Sequence, residues 1–423
     1  MFSRIQDFAF RSSFPYGKRV LSRSPESKAT PWINPCHFPV LGYNSNDPPH
    51  RDIHVTKNPS HHKSLQLTRP WSRTAVYVLV LMAVILLGIE GLFRLEPIQR
   101  RFQLKSQGNY HYLFETKWYQ LGKYVEEHGG VDVIFLGSSL MNSGVVPEKF
   151  IQAYAEKTGE EGLRVFNFGI EGMTIEPNAV VAKILMESYE PKAIVFGTEI
   201  RDYYAKNGVE VAERFLSNDW VRYRNGDFNL KGWLAEHSAA FPYYLAYRNW
   251  LTWKFYDNFT TIMDRIDSMM PDGYEIENAV NQFHTEMPDA DKPEDKAVMD
   301  FFADFEMAES RLDDLRTLMA LGEERGVEVV IVEMPVSPTF FGYFERGEEE
   351  HEDFTAVVSE VVSEAGKAFV SAPPEDIFPV KGRSDRVHLN KYGASIFSRH
   401  LGEALGELAN KGLIDLNGQE GVD

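Results

Sequence analysis

VDVIFLGSSLMNSG, residues 131–144, decides the architecture. Val131–Leu136 is a short apolar run closed by Gly137, followed by Ser138 and Ser139 and then a stretch able to start a helix. A brief, continuously apolar run bounded by glycine is the pattern of a strand buried on both faces. Further runs of this kind follow: Leu163–Phe168 (LRVFNF), Ala193–Phe196 closed by Gly197, Val327–Val332, and Ala368–Ser371. Helical patterns lie between them. Pro147–Lys157 opens on proline and places Phe150, Ile151 and Tyr154 at helical spacing; Ala179–Tyr189 and Ala308–Arg325 do the same work later. Near the end, Phe397, Leu401, Leu405 and Leu408 fall on one helical face. Alternating strands and helices predict a three-layer α/β/α unit with a mainly parallel sheet over residues 129–412. Ligands of such sheets bind beyond the carboxyl ends of the strands.

Between the third and fourth strands the pattern is interrupted at 203–300, which reads as a helical insert. Its centre, Phe241–Phe259, holds nine aromatics in nineteen residues. Tyr243, Tyr247 and Trp250 share one helical face; Leu251, Phe255 and Phe259 share another. An aromatic-rich insert fits a lid over sugars or an acyl chain. It equally fits a helical unit with a small core of its own.

Upstream, TAVYVLVLMAVILLGI (74–89) carries no charge, and extension through Glu90 to Phe93 gives about 20 residues, or ~30 Å of helix. That predicts a transmembrane helix over 74–93, with Glu90 in its last turn. A juxtamembrane helical segment is expected over 94–128. Residues 1–73 read as a flexible basic tail, too long for the amino end of a cleaved secretory signal, and 413–423 as a second tail. Local charge does not orient the span. Lys57, Lys63, Arg69 and Arg73 precede it, and Arg94, Arg100, Arg101 and Lys105 follow it. The wider excess is in the tail, with 11 Lys/Arg against 4 Asp/Glu in residues 1–73 and 33 against 58 afterwards. This favours a cytoplasmic amino terminus and an extracytoplasmic α/β domain. So acidic a domain argues against nucleic-acid binding, whose affinity comes largely from Lys/Arg on phosphates. Cys36 is the single cysteine and lies in the tail, with His50, His54, His61 and His62 in a polar, patternless stretch; no metal site and no cofactor is expected.

Two segments carry nucleophile chemistry. Ser138 and Ser139 sit just past a strand, where Gly137 permits a sharp turn and a helix amino terminus favours developing negative charge. Met141 stands where a G-x-S-x-G elbow has glycine, and either serine alone fits a helix cap as well. In SDRVHLN (384–390), Asp385 and His388 are three apart, so one helix-like turn puts both on one side. A carboxylate there fixes the imidazole tautomer and stabilises the imidazolium. Both segments fall at the same sheet edge.

Together GSS (137–139) and DRVHLN (385–390) resemble the first and last signature blocks of the SGNH/GDSL hydrolase family. NFGIEG (167–172) is similar to the second block, and EMPVSP (333–338) to the fourth-strand region of membrane-anchored members. The resemblance spans roughly residues 130–410 without the insert. It implies Ser139 as nucleophile, His388 as general base, Asp385 as its orienter, and the N–H groups of Gly172 and Ser139 as oxyanion donors. The family's third block supplies an Asn side chain, but here GTEIRDY (197–203) places Glu199 at that position. An ionised carboxylate cannot donate, which leaves a protonated Glu199, Thr198 or Arg201 for the role, or a different reaction; Glu199–Asp202 equally fits a loop that caps the next helix.

The resemblance implies a membrane-anchored serine esterase or O-acyltransferase acting on acyl groups, acetyl foremost, of a cell-surface glycan. Such members serve in bacterial polysaccharide modification beside a membrane-bound acyl donor protein. The alternatives are a catalytically silent glycan-binding or scaffold subunit, favoured by Glu199, and a lipid esterase covered by the aromatic insert.

Overall fold

The structure, a computed structural model, describes residues 73–101, 105–254, 269–279, 286–373 and 380–416. Cys36, His50, His54, His61 and His62, Phe255 and Phe259 of the aromatic run, and residues 417–423 lie outside the described residues.

The described chain begins with α1 (Arg73–Phe93), a helix of 21 residues with no buried residue, within which an eighteen-residue stretch has a mean hydropathy of 2.5. It is long and apolar enough to cross a hydrocarbon core. The short α2 (Glu96–Arg101) follows, then α3 (Tyr112–His128). Strands and helices then alternate: β1 (Val133–Gly137), α4 (Ser139–Gly144), α5 (Pro147–Thr158), β2 (Val165–Asn167), α6 (Ile175–Tyr189) and β3 (Ala193–Thr198). The insert contributes α7 (Val209–Leu216), α8 (Asp219–Arg224), α9 (Leu230–His237), α10 (Phe241–Lys254) and α11 (Pro293–Phe302). The chain closes with α12 (Glu309–Arg325), β4 (Glu328–Glu333), α13 (Glu348–Glu364), β5 (Ala368–Val370) and α14 (Lys391–Asn410).

All strand pairs are parallel, in the order β2-β1-β3-β4-β5. Period-two alternation splits each strand between two cores. Ile134, Leu136, Ile194, Phe196, Val329 and Ile331 face α3, α6, α12 and α13, where Phe114, Leu185, Leu315 and Phe354 are fully buried. Val133, Phe135, Val195, Val330 and Val332 face α5 and α14, meeting Phe150, Phe397, Leu401 and Leu405. This is the expected three-layer architecture.

Three expectations change in detail. The segment before residue 129 belongs in part to the α/β unit, because α3 packs Leu113, Phe114 and Leu121 into the first core with no exposure. The insert does not build a core of its own among the described residues. Phe215, Trp220, Ala235, Leu245 and Phe302 join the first core instead, and Phe114 meets Phe215 and Trp220 at ring separations of 5.1 and 6.1 Å. On α10, the face that Tyr243, Tyr247 and Trp250 share is only partly covered: Tyr243 is buried, whereas Tyr247 is 57% exposed.

Candidate active site

In the order β2-β1-β3 the chain reverses direction across the sheet between β1 and β3, which opens a crevice at their carboxyl ends. Gly137 pairs with Gly197 at that edge. Backbone approach there is close: a Cβ on Gly137 would stand 2.7 Å from Gly197 O, and its φ of +154° also favours glycine. Ser138 then caps α4, its Oγ accepting from Leu140 N at 3.4 Å. Capping thus falls to Ser138, and Ser139, the first residue of α4, keeps its hydroxyl for another partner.

A buried asparagine holds α4 in place. Asn167, the last residue of β2, donates from its amide to Met141 O (2.8 Å) and Val145 O (2.7 Å), and its Oδ1 accepts from Gly169 N (2.9 Å). Gly169 lies so close to α4 that a Cβ would come 2.4 Å from Asn142 N. The ammonium of Lys117, fully buried on α3, donates to Asn167 O at 3.1 Å. NFGIEG therefore does more than the sequence disclosed: its first residue fixes the turn that presents Ser139.

At the opposite end of the chain, residues 383–390 form a loop pinned on three sides. Asn390 caps α14, accepting from Tyr392 N at 3.0 Å, while its amide donates to Lys381 O at 2.6 Å. Arg386 O accepts from Ser337 N at 2.8 Å, tying the loop to EMPVSP. The Arg386 guanidinium donates to Asp295 Oδ1 at 3.0 Å and to the Tyr343 hydroxyl, so α11 of the insert braces it. Asp385 and His388 do face one side, but not through a helical turn. Asp385 Oδ1 accepts from Val387 N (2.8 Å) and His388 N (2.7 Å), so the carboxylate itself folds the loop.

These two segments, 249 residues apart, converge. Ser139 Oγ is 2.8 Å from His388 Nε2, and His388 Nδ1 is 2.7 Å from Asp385 Oδ2. Burial pushes the Asp385 carboxyl up, but the His388 charge, the hydrogen bond to it and the two backbone N–H groups outweigh this and bring it down to about 2. An ionised Asp385 holds the proton on Nδ1, leaving Nε2 able to accept from Ser139. That is the arrangement general-base activation of a serine requires.

Glu199 follows the end of β3, two residues beyond Gly197, whose partner across the sheet is Gly137. The Glu199 side chain turns into its own cap. It accepts from Arg201 N at 2.9 Å and from Arg201 Nε, while Glu199 N donates to Asp202 Oδ2 at 3.0 Å. Glu199 is buried, and its charge is matched by the Arg201 guanidinium, which lies 5.3 Å over the Phe340 ring. The Thr198 hydroxyl donates to Asp202 Oδ2 at 3.1 Å and is thereby engaged. Burial and the neighbouring Glu199 charge push the Asp202 carboxyl upward. Gly172, with φ +75°, is the exposed residue of a turn whose ends, Ile170 and Met173, are buried. Ile170 N donates to Gly137 O at 2.8 Å, which carries that turn to the same sheet edge. The described residues contain no cluster of His, Cys, Asp and Glu able to hold a metal.

No known family model matches the sequence, and no curated protein matches it. Solved structures similar in outline include the psychrotrophic esterase EstA of Pseudoalteromonas sp., with 10% identity and a TM-score of 0.32, covering 66% of this chain and 98% of that one. An acetylxylan esterase of Geobacillus stearothermophilus has 12% identity and a TM-score of 0.32, covering 69% and 99%. A GDSL-like lipase of Bacteroides thetaiotaomicron has 10% identity and a TM-score of 0.28, covering 68% and 98%. At superpositions this loose, the ground for a functional reading is the chain's own geometry.

Proposed function

We propose that this protein is a membrane-anchored serine esterase or O-acyltransferase, acting on acetyl groups of a cell-surface glycan. The observation that carries the reading is the continuous Ser139–His388–Asp385 relay, with separations of 2.8 and 2.7 Å. Ser139 Oγ attacks the ester carbonyl while His388 Nε2 takes its proton. The tetrahedral oxyanion is held by the N–H groups of Ser139 and Gly172. On collapse, His388 returns the proton to the departing alcohol oxygen, leaving an acetyl ester on Ser139. Water or a sugar hydroxyl, deprotonated by the same imidazole, then resolves it.

Glu199 fits this scheme as a neutralised neighbour. Its ion pair with Arg201 removes the net repulsion that an unpaired carboxylate would exert on the oxyanion. The apolar α1 supports anchoring, and the basic excess of residues 1–73 supports a cytoplasmic amino terminus with the α/β unit outside. A membrane-bound protein would serve as acyl donor if the reaction is transfer.

Hydrolysis of a chain-length series of 4-nitrophenyl esters, with acetate release from an O-acetylated polysaccharide, tests the substrate class. Acetyl esters are expected to turn over faster than octanoyl esters. The reverse order would make the protein a lipid esterase. Glu199, standing where the resembled family has its oxyanion Asn, favours one second reading, a silent glycan-binding subunit. That reading requires no turnover of any ester and polysaccharide binding unchanged in His388→Ala.

A further inference from the structure

Glu90, in the last turn of α1, is drawn into the α/β unit. Its carboxylate accepts from Ser238 Oγ at 2.6 Å, Ala239 N at 2.7 Å and Ala240 N at 3.2 Å, capping the turn from α9 into α10. Phe93 rests on Tyr243 at a ring separation of 4.9 Å. These contacts fix the carboxyl end of the apolar helix against the α9–α10 corner, so that corner stands at the level where a span would leave the hydrocarbon.

A cavity of about 550 Å³ opens at the same corner. Ser238 and Ala239, which hold Glu90, line it together with Lys105, Glu187, Arg224 and Glu236. Its charge runs against the acidic average of the chain. Arg224 pairs with Glu187 at 3.3 Å and Glu236 at 3.1 Å, and Glu187 also meets Lys183 at 2.9 Å and Arg325 at 2.6 Å. Lys105 lies 5.7 Å over the Tyr243 ring and has no carboxylate partner among the described residues. Two cations and two carboxylates thus line the cavity; with Lys183 and Arg325 behind Glu187 and the Arg94–Glu90 pair at 2.9 Å beside it, five cations stand around three carboxylates.

The adjoining helix exposes two large apolar side chains among the polar Lys231, Glu236 and His237. Leu230 is 63% and Trp233 41% exposed, and Phe228, just before α9, is 71% exposed, while Gly232 and Ala235 turn inward. The eight residues of α9 span ~12 Å, which keeps Leu230 and Trp233 within about that distance of Glu90. Aromatic and leucine side chains beside excess cations are what the headgroup zone of an anionic leaflet accommodates.

We propose that the α9–α10 corner is a lipid site: the cavity takes the phosphate-bearing headgroup of an anionic membrane lipid, facing Lys105 and Arg224, while Leu230 and Trp233 enter the interface beside it. This rests on Arg73–Phe93 being a span and is independent of the Ser139 chemistry. Bound lipid would seat the α/β unit against the bilayer, which a flexible tether alone would not do.

The test is calorimetric titration of the full chain in a non-ionic detergent with dihexanoyl phosphatidylglycerol, dihexanoyl phosphatidylcholine and inorganic phosphate. Phosphatidylglycerol is expected to bind at least about tenfold tighter than either of the others. Lys105→Glu should abolish the preference, Lys105→Arg should keep it, and Ser139→Ala should leave it unchanged. Equal binding of the two lipids, or a preference that survives Lys105→Glu in a folded variant, overturns the proposal. Phosphate binding as tightly as the lipid makes this a soluble-anion site and overturns it as well. Release of the full chain from membranes by alkaline carbonate removes the span, and the lipid source with it, while leaving the serine chemistry standing.

Discussion

Replacing Asp385 by Asn separates the roles that its two oxygens play. Oδ1 accepts from the N–H groups of Val387 and His388 at 2.8 and 2.7 Å, and Oδ2 faces His388 Nδ1 at 2.7 Å. In Asp385→Asn the side-chain carbonyl can keep the two backbone contacts, because an NH2 turned toward them would oppose donor to donor. The amide NH2 then faces Nδ1, which must accept, and the imidazole proton moves to Nε2. In that tautomer Nε2 can only donate to Ser139 and cannot take its proton. Loss of the base function through the wrong tautomer is worth ~10³–10⁴ in rate, or about 4–5.5 kcal/mol of transition-state stabilisation. The cost in folding is small: the Asp385 side chain is 50% exposed, so losing its ion pair removes under ~1 kcal/mol. The assay is kcat/KM for 4-nitrophenyl acetate beside thermal unfolding of the same preparations. A variant within about tenfold of the parent at unchanged Tm would refute Asp385 as the group that sets the tautomer.

Asn167→Ala should unfold about 3–4 kcal/mol more easily, because the carbonyls of Met141 and Val145 and the N–H of Gly169 lose buried partners; urea denaturation measures it, and a loss under ~1 kcal/mol means α4 is held by something else. Arg201→Met leaves Glu199 buried without its ion-pair partner at the carboxyl end of β3, and should lower both stability, by roughly 3 kcal/mol, and kcat. Adding Glu199→Gln should restore much of each, and failure to do so places the effect of Arg201 elsewhere. Acid and neutral limbs of stability should have opposite signs. Asp385 titrates at about 2 rather than its ordinary 3.8, so its contribution is full above pH ~4 and fades as pH falls through ~2. Asp202 is shifted upward, so the folded state holds its proton more tightly than the unfolded one, and stability declines as pH rises beyond the ordinary carboxylate range. Asp202→Asn should flatten that decline in urea midpoints measured across roughly pH 4–7; an unchanged slope rules Asp202 out.

The sheet was legible because each strand is a short apolar run stopped at glycine or a polar residue, and because helices with apolar stripes intervene. Its edges moved by one or two residues, since backbone pairing extends until a carboxyl-end turn takes over, as at Gly137 and Thr198. The helix at Glu348–Glu364 had a readable stripe in Phe354, Val358 and Val362, hidden behind its EEEHED start. The serine, histidine and aspartate came from the family resemblance of two segments, and the geometry brings all three together. What the sequence withheld is the support. Arg386 reaches Asp295 across 91 positions, and Glu90 reaches Ala239 across 149. Such pairings have no period and no spacing rule. Glu199 stood open in the sequence between the crevice and a cap on the next helix, because a carboxylate at that position reads the same in both; the structure shows the cap, closed on Arg201 and Asp202.

The central claim is that Ser139 is a nucleophile activated by His388. Treating the full chain with a fluorophosphonate and mapping the adduct by mass spectrometry tests it most directly. Stoichiometric modification of Ser139 is expected, with none in Ser139→Ala and labelling slowed by at least about a hundredfold in His388→Ala. A Ser139→Ala protein that labels as fast as its parent contradicts it.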